Sequence, residues 1–368
     1  RDEYRGRSAV AEVLAENPNT SDSDVRYRRL DYRDPSRLKT LIAGTTGVIH
    51  VAGPYADEEP LPLRAAIECR CPVYVDVSDP LDFIDESLSL SPLAVTSGTS
   101  CLVAAGAFPG LSNVLAVEAA SALPGGDDPS VRDVSFNYFT AGLGGSGEVN
   151  LYITNLGFGE DVALYDKGKL TFVEGLAGRI LGDVDFSAGD MNYGIGRKKV
   201  FAWPFPEAAT VARELGISGD SSVAMGTAPD IWNVMLGLLV TVVPRKWWQN
   251  RNFSKFMADF SQPLVALTDY LLKISSSDNV GETHAMRIDV VGADEDGSRV
   301  TIVQAHESFR RCVGQSCAEF AIDLLNHPRP GVFLPEQRYR DDEARGRIVG
   351  KLVSTEGTIG YTGPTLAE

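Results

Sequence analysis

The sequence has no C-x-x-C pair, no H-E-x-x-H and no Ser-His-Asp order, and its 50 acidic against 34 basic residues leave no surplus of positive charge. Each absence removes a class of function. The five cysteines stand at 69, 71, 101, 312 and 317, a scattered odd number that makes neither a disulfide framework nor a metal pattern. They fit a reducing compartment, the cytoplasm or an organelle stroma, between which the sequence does not choose. A formal charge of −16 argues against nucleic acid or an anionic membrane as the main partner, since few cations are present to displace a polyanion's counterions. Without a triad, zinc or paired-carboxylate motif, hydrolase and metal chemistry lose their support, and no metal site is expected. The longest apolar run, IWNVMLGLLVTVVP (231–244), has 14 residues and falls short of the roughly 18 to 20 that cross a bilayer. It reads either as a buried helix or, with Trp247 and Trp248, as weak attachment of 231–248 to a membrane face. An initial methionine is also absent. The chain opens on Arg1 and enters a charged helix-forming stretch, as expected of a fragment whose start lies upstream, so a missing leader carries no information.

What is present is a chain of 368 residues, long enough for two domains. Up to about residue 123 its hydrophobic pattern alternates between the periods of helix and strand. Helical spacing in 7–15 gives way to the strand-like VRYRRLDY (25–32), then to a helix announced by Asp34 and Pro35. The apolar run VIHVAG (48–53), a helix near 61–70, the strand-like PVYVDVS (72–78), CLVAAGAF (101–108) and a helix near 110–123 follow. Strands alternating with helices predict a parallel sheet of crossover units. PGGDDPS (124–130) is the clearest linker, and beyond it VRDVSFNYF and the pair MRIDVVG and RVTIVQAH around ADEDGS predict an antiparallel sheet in an α+β region. The division expected is 1–126, 127–312, and a tail of 313–368 whose helix returns to the first domain.

A perfect G-x-G-x-x-G stands at Gly142, Gly144 and Gly147, behind the strand-like VSFNYF. It reads as a dinucleotide phosphate cradle, as a plain turn, or as a helix N-terminus in which Gly144 and Gly145 meet the carboxylate of a small substrate. The segment after it makes a weak crossover helix, and no strand ending in an acid follows. Better cofactor candidates lie at two successive strand ends: Ala52, Gly53, Pro54 and Tyr55 in VIHVAGPY, and Asp76, Ser78 and Asp79 in VYVDVSDP. Each is alternatively a simple strand-to-helix turn. Acid–base candidates are few. His306 and Tyr138 are weak ones, His50 reads as a core residue, and Arg197, Lys198 and Lys199 form a local positive cluster able to meet a carboxylate or simply to face solvent.

The words VIHVAGPY, LRAAIECRCPVYVDVSD, AGAFPGLSN (105–113), YFTAGLGGSG, GIGRKKV (194–200), MGTAP (225–229) and PGVFLPE (330–336) occur in this order over nearly the whole chain. In this the sequence resembles the saccharopine dehydrogenase-like family, most nearly its plant and algal NADP-binding-domain members. The resemblance implies a Rossmann-type doubly wound parallel sheet, here without its first βαβ unit, joined to an α+β second domain. It implies that the visible glycine triplet belongs to the second domain, and that Arg1 ends a missing strand and pairs with the 2′-phosphate of NADP (or stands near NAD). Asp31 would lie near the adenine, Gly106, Phe108 and Pro109 beside the nicotinamide, and Ser112 and Asn113 between nicotinamide and substrate, although these two equally suit helix capping. The implied activity is hydride transfer at a carbon bearing an amine, on an amino-acid or polyamine-type conjugate. A fragment of this kind would bind NADP poorly. The partners expected are a small-molecule substrate and a second copy in a homodimer. A scaffold of the same fold without turnover is the alternative.

Overall fold

The computed structural model describes residues 3–21, 24–125, 130–141, 148–187, 194–274 and 282–366. Its strands are β1 (Gly47–His50), β2 (Val73–Asp76), β3 (Ser100–Leu102), β4 (Val131–Ala141), β5 (Val162–Asp166), β6 (Lys169–Val173) and β7 (Ile180–Asp185), then β8 (Arg197–Ala202), β9 (Ser221–Ala228), β10 (His284–Gly292), β11 (Arg299–His306), β12 (Gly331–Phe333) and β13 (Thr358–Leu366).

The first sheet has the order β1-β2-β3-β12, parallel throughout. Helix Leu61–Glu68 connects β1 to β2, and helices Leu81–Ser89 and Ser91–Ser97 connect β2 to β3. Every residue of β2 and β3 is buried, as expected of short apolar strands covered on both faces. β1 is the edge, with Ile49 half exposed. VRYRRLDY (25–32) does not extend the sheet. Its residues are irregular, and Tyr32 and Arg33 bond Glu58 instead of entering a ladder. The helix expected at Asp34 forms over Pro35–Ile42, capped by Asp34 Oδ1, which accepts from Ser36 N and Arg37 N.

The second sheet, β13-β11-β10-β4-β9-β8-β7, is mixed rather than antiparallel, because β4 and β9 run parallel. The expected hairpin is β10–β11, paired in register from His284 with His306 to Val291 with Arg299. β4, the strand that leads into the glycine triplet, is central here and has no place in the parallel sheet. Gly142 to Gly147 themselves, with Gly144 and Gly145, lie outside the described residues, as does Arg1. After β11, helix Phe309–Asn326 packs on β2, β12 joins the parallel sheet, and β13 closes the edge of the mixed one.

Between the sheets lies helix Leu111–Ser121, LSNVLAVEAAS. Nine of its residues are buried, so it has no solvent face of any width. One core accordingly runs through both sheets, from Val73, Val75 and Leu102 past Leu115 to Phe136, Met286, Ile288 and Ile302. Replacing Leu115 by Ala should cost roughly 2–5 kcal/mol and unfold both sheets in one transition. All four tryptophans follow residue 200, so their fluorescence reports the second sheet while far-ultraviolet circular dichroism reports both. The two melting curves should coincide, and a separate early transition in either would contradict a shared core.

Candidate functional site

A cavity of about 310 Å³ opens between the sheets at the carboxyl ends of β1 and β2. Gly53, Pro54 and Tyr55 beyond β1, Val77 and Asp79 beyond β2, and Gly106 to Pro109 beyond β3 form one side. Thr140, Ile153, Trp203, Phe205, Met225 and Phe309 face them from the second sheet and its helices. The walls are thus mainly aromatic and aliphatic, with bare backbone at the glycines.

The loop beyond β3 is shaped by backbone contact. Gly106 N donates to Pro109 O (2.9 Å), and Leu111 N donates to Gly106 O (2.9 Å). Gly110 has φ +133°, and a Cβ there would stand 2.1 Å from Gly106 O, so only glycine fits. Gly110 N donates to Asn113 Oδ1 (2.9 Å), and Asn113 Nδ2 donates to Glu336 Oε2 (2.8 Å). Ser112 Oγ lies 3.1 Å from Asn113 Oδ1 and 3.2 Å from Glu207 Oε1, and donates its single proton to one of them. Tyr138 OH donates to the same Glu207 oxygen (2.7 Å), while Phe108 stacks on the Tyr138 ring with centres 4.2 Å apart. Ser112, Asn113, Tyr138, Glu207 and Glu336 are all buried. They form the bed under the cavity rather than its wall.

Burial raises the Glu207 carboxyl from its ordinary 4.5 to about 7, against the donors of Tyr138 and Ser112 and with a further push from Glu336. Burial likewise raises Glu336. The remaining oxygens, Glu207 Oε2 and Glu336 Oε1, have no hydrogen-bond partner among the described residues.

A second cavity of about 610 Å³ continues from the first, sharing Pro54, Asp79, Ile153, Trp203 and Phe205. Its walls carry Asp57, Asp79, Asp82, Glu160 and Asp161. Arg251 pairs with Asp57, and Arg245 spans Asp161 (2.5 Å) and Glu174 (2.7 Å). Asp79, Asp82 and Glu160 make no ion pair among the described residues. Burial and the neighbouring Glu160 carry Asp79 to about 7, and burial with Asp82 and Asp57 carries Glu160 to about 6, although solvent reaches it. Asp79 and Glu160 are mainly neutral below those values and become anionic as pH rises through them.

The other residues singled out in the sequence fall elsewhere. Asp76 and Ser78 bond one another, with Asp76 Oδ1 accepting from Ser78 Oγ (2.7 Å) and Ala104 N (3.1 Å), which ties the β2 and β3 ends together. Ala52 is exposed outside the cavity, and Asp31 is exposed and caps its own turn through Arg33 N. Arg197, Lys198 and Lys199 lie on β8 facing β7. Lys199 pairs with Asp183 (3.2 Å), the charge of Arg197 helps lower Asp185, and Lys198 sits over the Phe139 ring. His50 is buried against Tyr55 and lowered to about 4 by desolvation. His306 is fully used in structure: Nδ1 accepts from Ser308 N (3.0 Å), so Nε2 carries the proton and faces Gln315 Oε1 and Glu356 O. Sequence reasoning passed over Glu207, Glu336 and His284. Only the WPFP run before Glu207 marks an unusual helix start.

A parallel sheet, a mixed sheet and a cavity at the parallel strand ends between them define a Rossmann-type domain joined to a second, mixed-sheet domain. Apo histidine-tagged saccharopine dehydrogenase (L-Glu forming) from Saccharomyces cerevisiae shares this fold. It aligns with a TM-score of 0.57 at 15% identity, covering 98% of this chain and 92% of that one. An oxidoreductase from Sinorhizobium meliloti aligns at 11% identity with a TM-score of 0.31, over 81% of this chain and 64% of that one, too loosely to carry an argument. No family model and no curated protein matches the chain.

The linkage of Glu207 to stability is testable. The folded carboxyl holds its proton to higher pH than the unfolded one, so stability is full below about 4.5 and is lost as pH rises through about 7. Glu207→Gln keeps the shape and removes the titration. It should leave the melting temperature unchanged at pH 4.5 and raise stability at pH 8 by an amount on the order of 3 kcal/mol. An equal effect at both pH values would contradict the protonated carboxyl.

Proposed function

We propose that this chain is a saccharopine dehydrogenase-like, nicotinamide-dependent oxidoreductase that uses NADP and acts on a C–N bond of an amino-acid or polyamine-type conjugate. The observation that carries the reading is the cavity at the ends of β1 and β2, where Gly53, Pro54 and Gly106 offer bare backbone to a flat ring and the aromatic walls exclude water. These residues fit the nicotinamide end of the cofactor, which when bound supplies or takes the hydride. Gly53, Pro54, Tyr55, Gly106, Phe108 and Pro109 shape its place, while Asp76 and Ser78 hold the strand ends in register. The preference for NADP rests on Arg1 and the sequence resemblance. The acidic cleft beside the cavity supports an amine-bearing partner, because Asp79 and Glu160 make no ion pair among the described residues while the cleft's Arg245 and Arg251 pair with other carboxylates. As the cleft ionises between about pH 6 and 7, it becomes the better host for an ammonium group.

Reduced nicotinamide mononucleotide, which lacks the adenosine half, is the fitting probe. It should bind measurably by calorimetry and lose that binding in Gly53→Val, with NADPH oxidation requiring a carbonyl compound and an amine together. Unchanged binding in Gly53→Val would refute the site.

A second reading has a specific observation behind it. Helix Asp230–Val242 is not the buried helix that its apolar run suggests: Val234, Leu238 and Val242 are each more than 60% exposed, and Trp247 follows them. Helix Arg251–Ile274 adds a stripe of Phe256, Phe260, Leu264 and Leu267. No helix among the described residues is long and apolar enough to cross a membrane. Apolar helix faces beside Trp247 and Lys246 suit shallow insertion into a lipid surface, which would make the protein a membrane-bound scaffold. Flotation with neutral phosphatidylcholine vesicles that is abolished by Val234→Glu with Leu238→Glu would support it, and absence of flotation by the wild type would end it.

A further inference from the structure

The inner end of the cavity carries polar groups that neither the fold nor the proposed chemistry uses. Thr140 on β4 and His284 on β10 are directly opposite one another in the ladder, and Gln304 lies diagonally beyond His284 on the same face of β11. All three are no more than 2% exposed. Thr140 Oγ1, both ring nitrogens of His284 and both amide atoms of Gln304 lack a partner among the described residues. Native proteins leave few such atoms unbonded, so five of them gathered beside a cavity call for an explanation. The neighbouring His306, with both nitrogens engaged, shows what a structural histidine on this face looks like.

The recess adjoins the cavity in two ways. Thr140 is itself part of the cavity wall. The His284 ring lies against Phe108 and Phe309, its centre 5.8 and 5.7 Å from theirs, and both phenyl rings line the cavity. Phe309, at the first position of its helix, is the more exposed of the two.

We propose that Thr140 and His284 form a polar subsite at the inner end of the cavity for an uncharged oxygen, the carbonyl or hydroxyl of a ligand with an apolar body. The hydroxyl and a neutral imidazole each offer a proton to such an oxygen, and the aromatic walls take the body. Charge is unwelcome there. Among the described residues no Asp, Glu, Lys or Arg makes a hydrogen bond or ion pair with the two side chains, Arg310 at the cavity wall is held by Glu282 (3.0 Å), and desolvation with the adjacent His306 keeps His284 neutral, down to about 3. This inference deepens the reading above: it seats the carbonyl partner in the cavity and leaves the amine partner to the acidic cleft.

Histidine-selective ¹⁵N spectra of the whole chain show only four residues, and His284→Phe identifies the signals of interest. Acetophenone, added without nucleotide, should shift the His284 ring nitrogens saturably and leave those of His327 in place. Benzoate and benzylamine, of similar size but charged, should not. Thr140→Val, with an unaltered melting curve, should weaken acetophenone binding about fivefold, the loss of one neutral hydrogen bond. Acetophenone that leaves His284 unmoved, or benzoate or benzylamine that moves it as far, overturns the subsite. Because no cofactor is present, a positive result without nicotinamide binding would refute only the oxidoreductase reading, and nicotinamide binding without the acetophenone response only the subsite.

Discussion

The structure depends on a helix with nowhere to face water. Leu111–Ser121 is buried along nearly its whole length, so its free energy is lowest when it is covered all round, by the mixed sheet on one flank and by helices Glu207–Leu215, Pro335–Arg338 and Asp342–Leu352 on the others. That constraint fuses the two sheets through a single core and fixes the loop before the helix. Gly106 to Gly110 must turn sharply into the helix start, and the turn delivers Gly106, Phe108 and Pro109 to the space between the sheets. The cavity is thus a consequence of how the core closes.

Closure has an electrostatic cost. Asn113 and Ser112 bring two acidic side chains, Glu207 and Glu336, into the same joint with no cation to balance them. Burial raises both carboxyls, which favours the neutral form and lessens the charge that burial penalises. In the adjoining cleft, where solvent enters, a similar excess of carboxylates is left to titrate near neutrality. The contrast separates two uses of acid: under the cavity it makes hydrogen-bonded structure, and beside the cavity it makes a negative surface facing open space. The net charge of −16 hides this difference, which appears only when burial is known.

Much of the fold was legible in the sequence because it rests on local signals. The Asp34–Pro35 helix start, the apolar words around β1, β2 and β3, and the ADEDGS turn of the β10–β11 hairpin each carry their structure in a few adjacent residues. VRYRRLDY misled because strand propensity needs an edge to pair with, and this segment spends Tyr32 and Arg33 on Glu58. The run 231–244 shows that composition measures apolarity without showing what covers it. At the site, the glycine and proline words were visible because close backbone approach demands them. Glu207, Glu336 and His284 were not, because their meaning comes from partners brought together across more than 90 residues, as in Ser112 with Glu207 or Thr140 with His284. His306 and His284 look alike on alternating strands. Only the bonds made by one and not by the other distinguish them.

The central claim is that the cavity between the sheets receives a nicotinamide ring. Trp203 lines that cavity, whereas Trp232 and Trp247 do not. Fluorescence energy transfer from tryptophan to bound reduced nicotinamide mononucleotide tests the claim most directly. With reduced nicotinamide mononucleotide as the ligand, the account predicts sensitised nicotinamide emission that falls in Trp203→Phe while the ligand remains bound. Emission that persists undiminished in that variant would place the ring elsewhere and contradict the account.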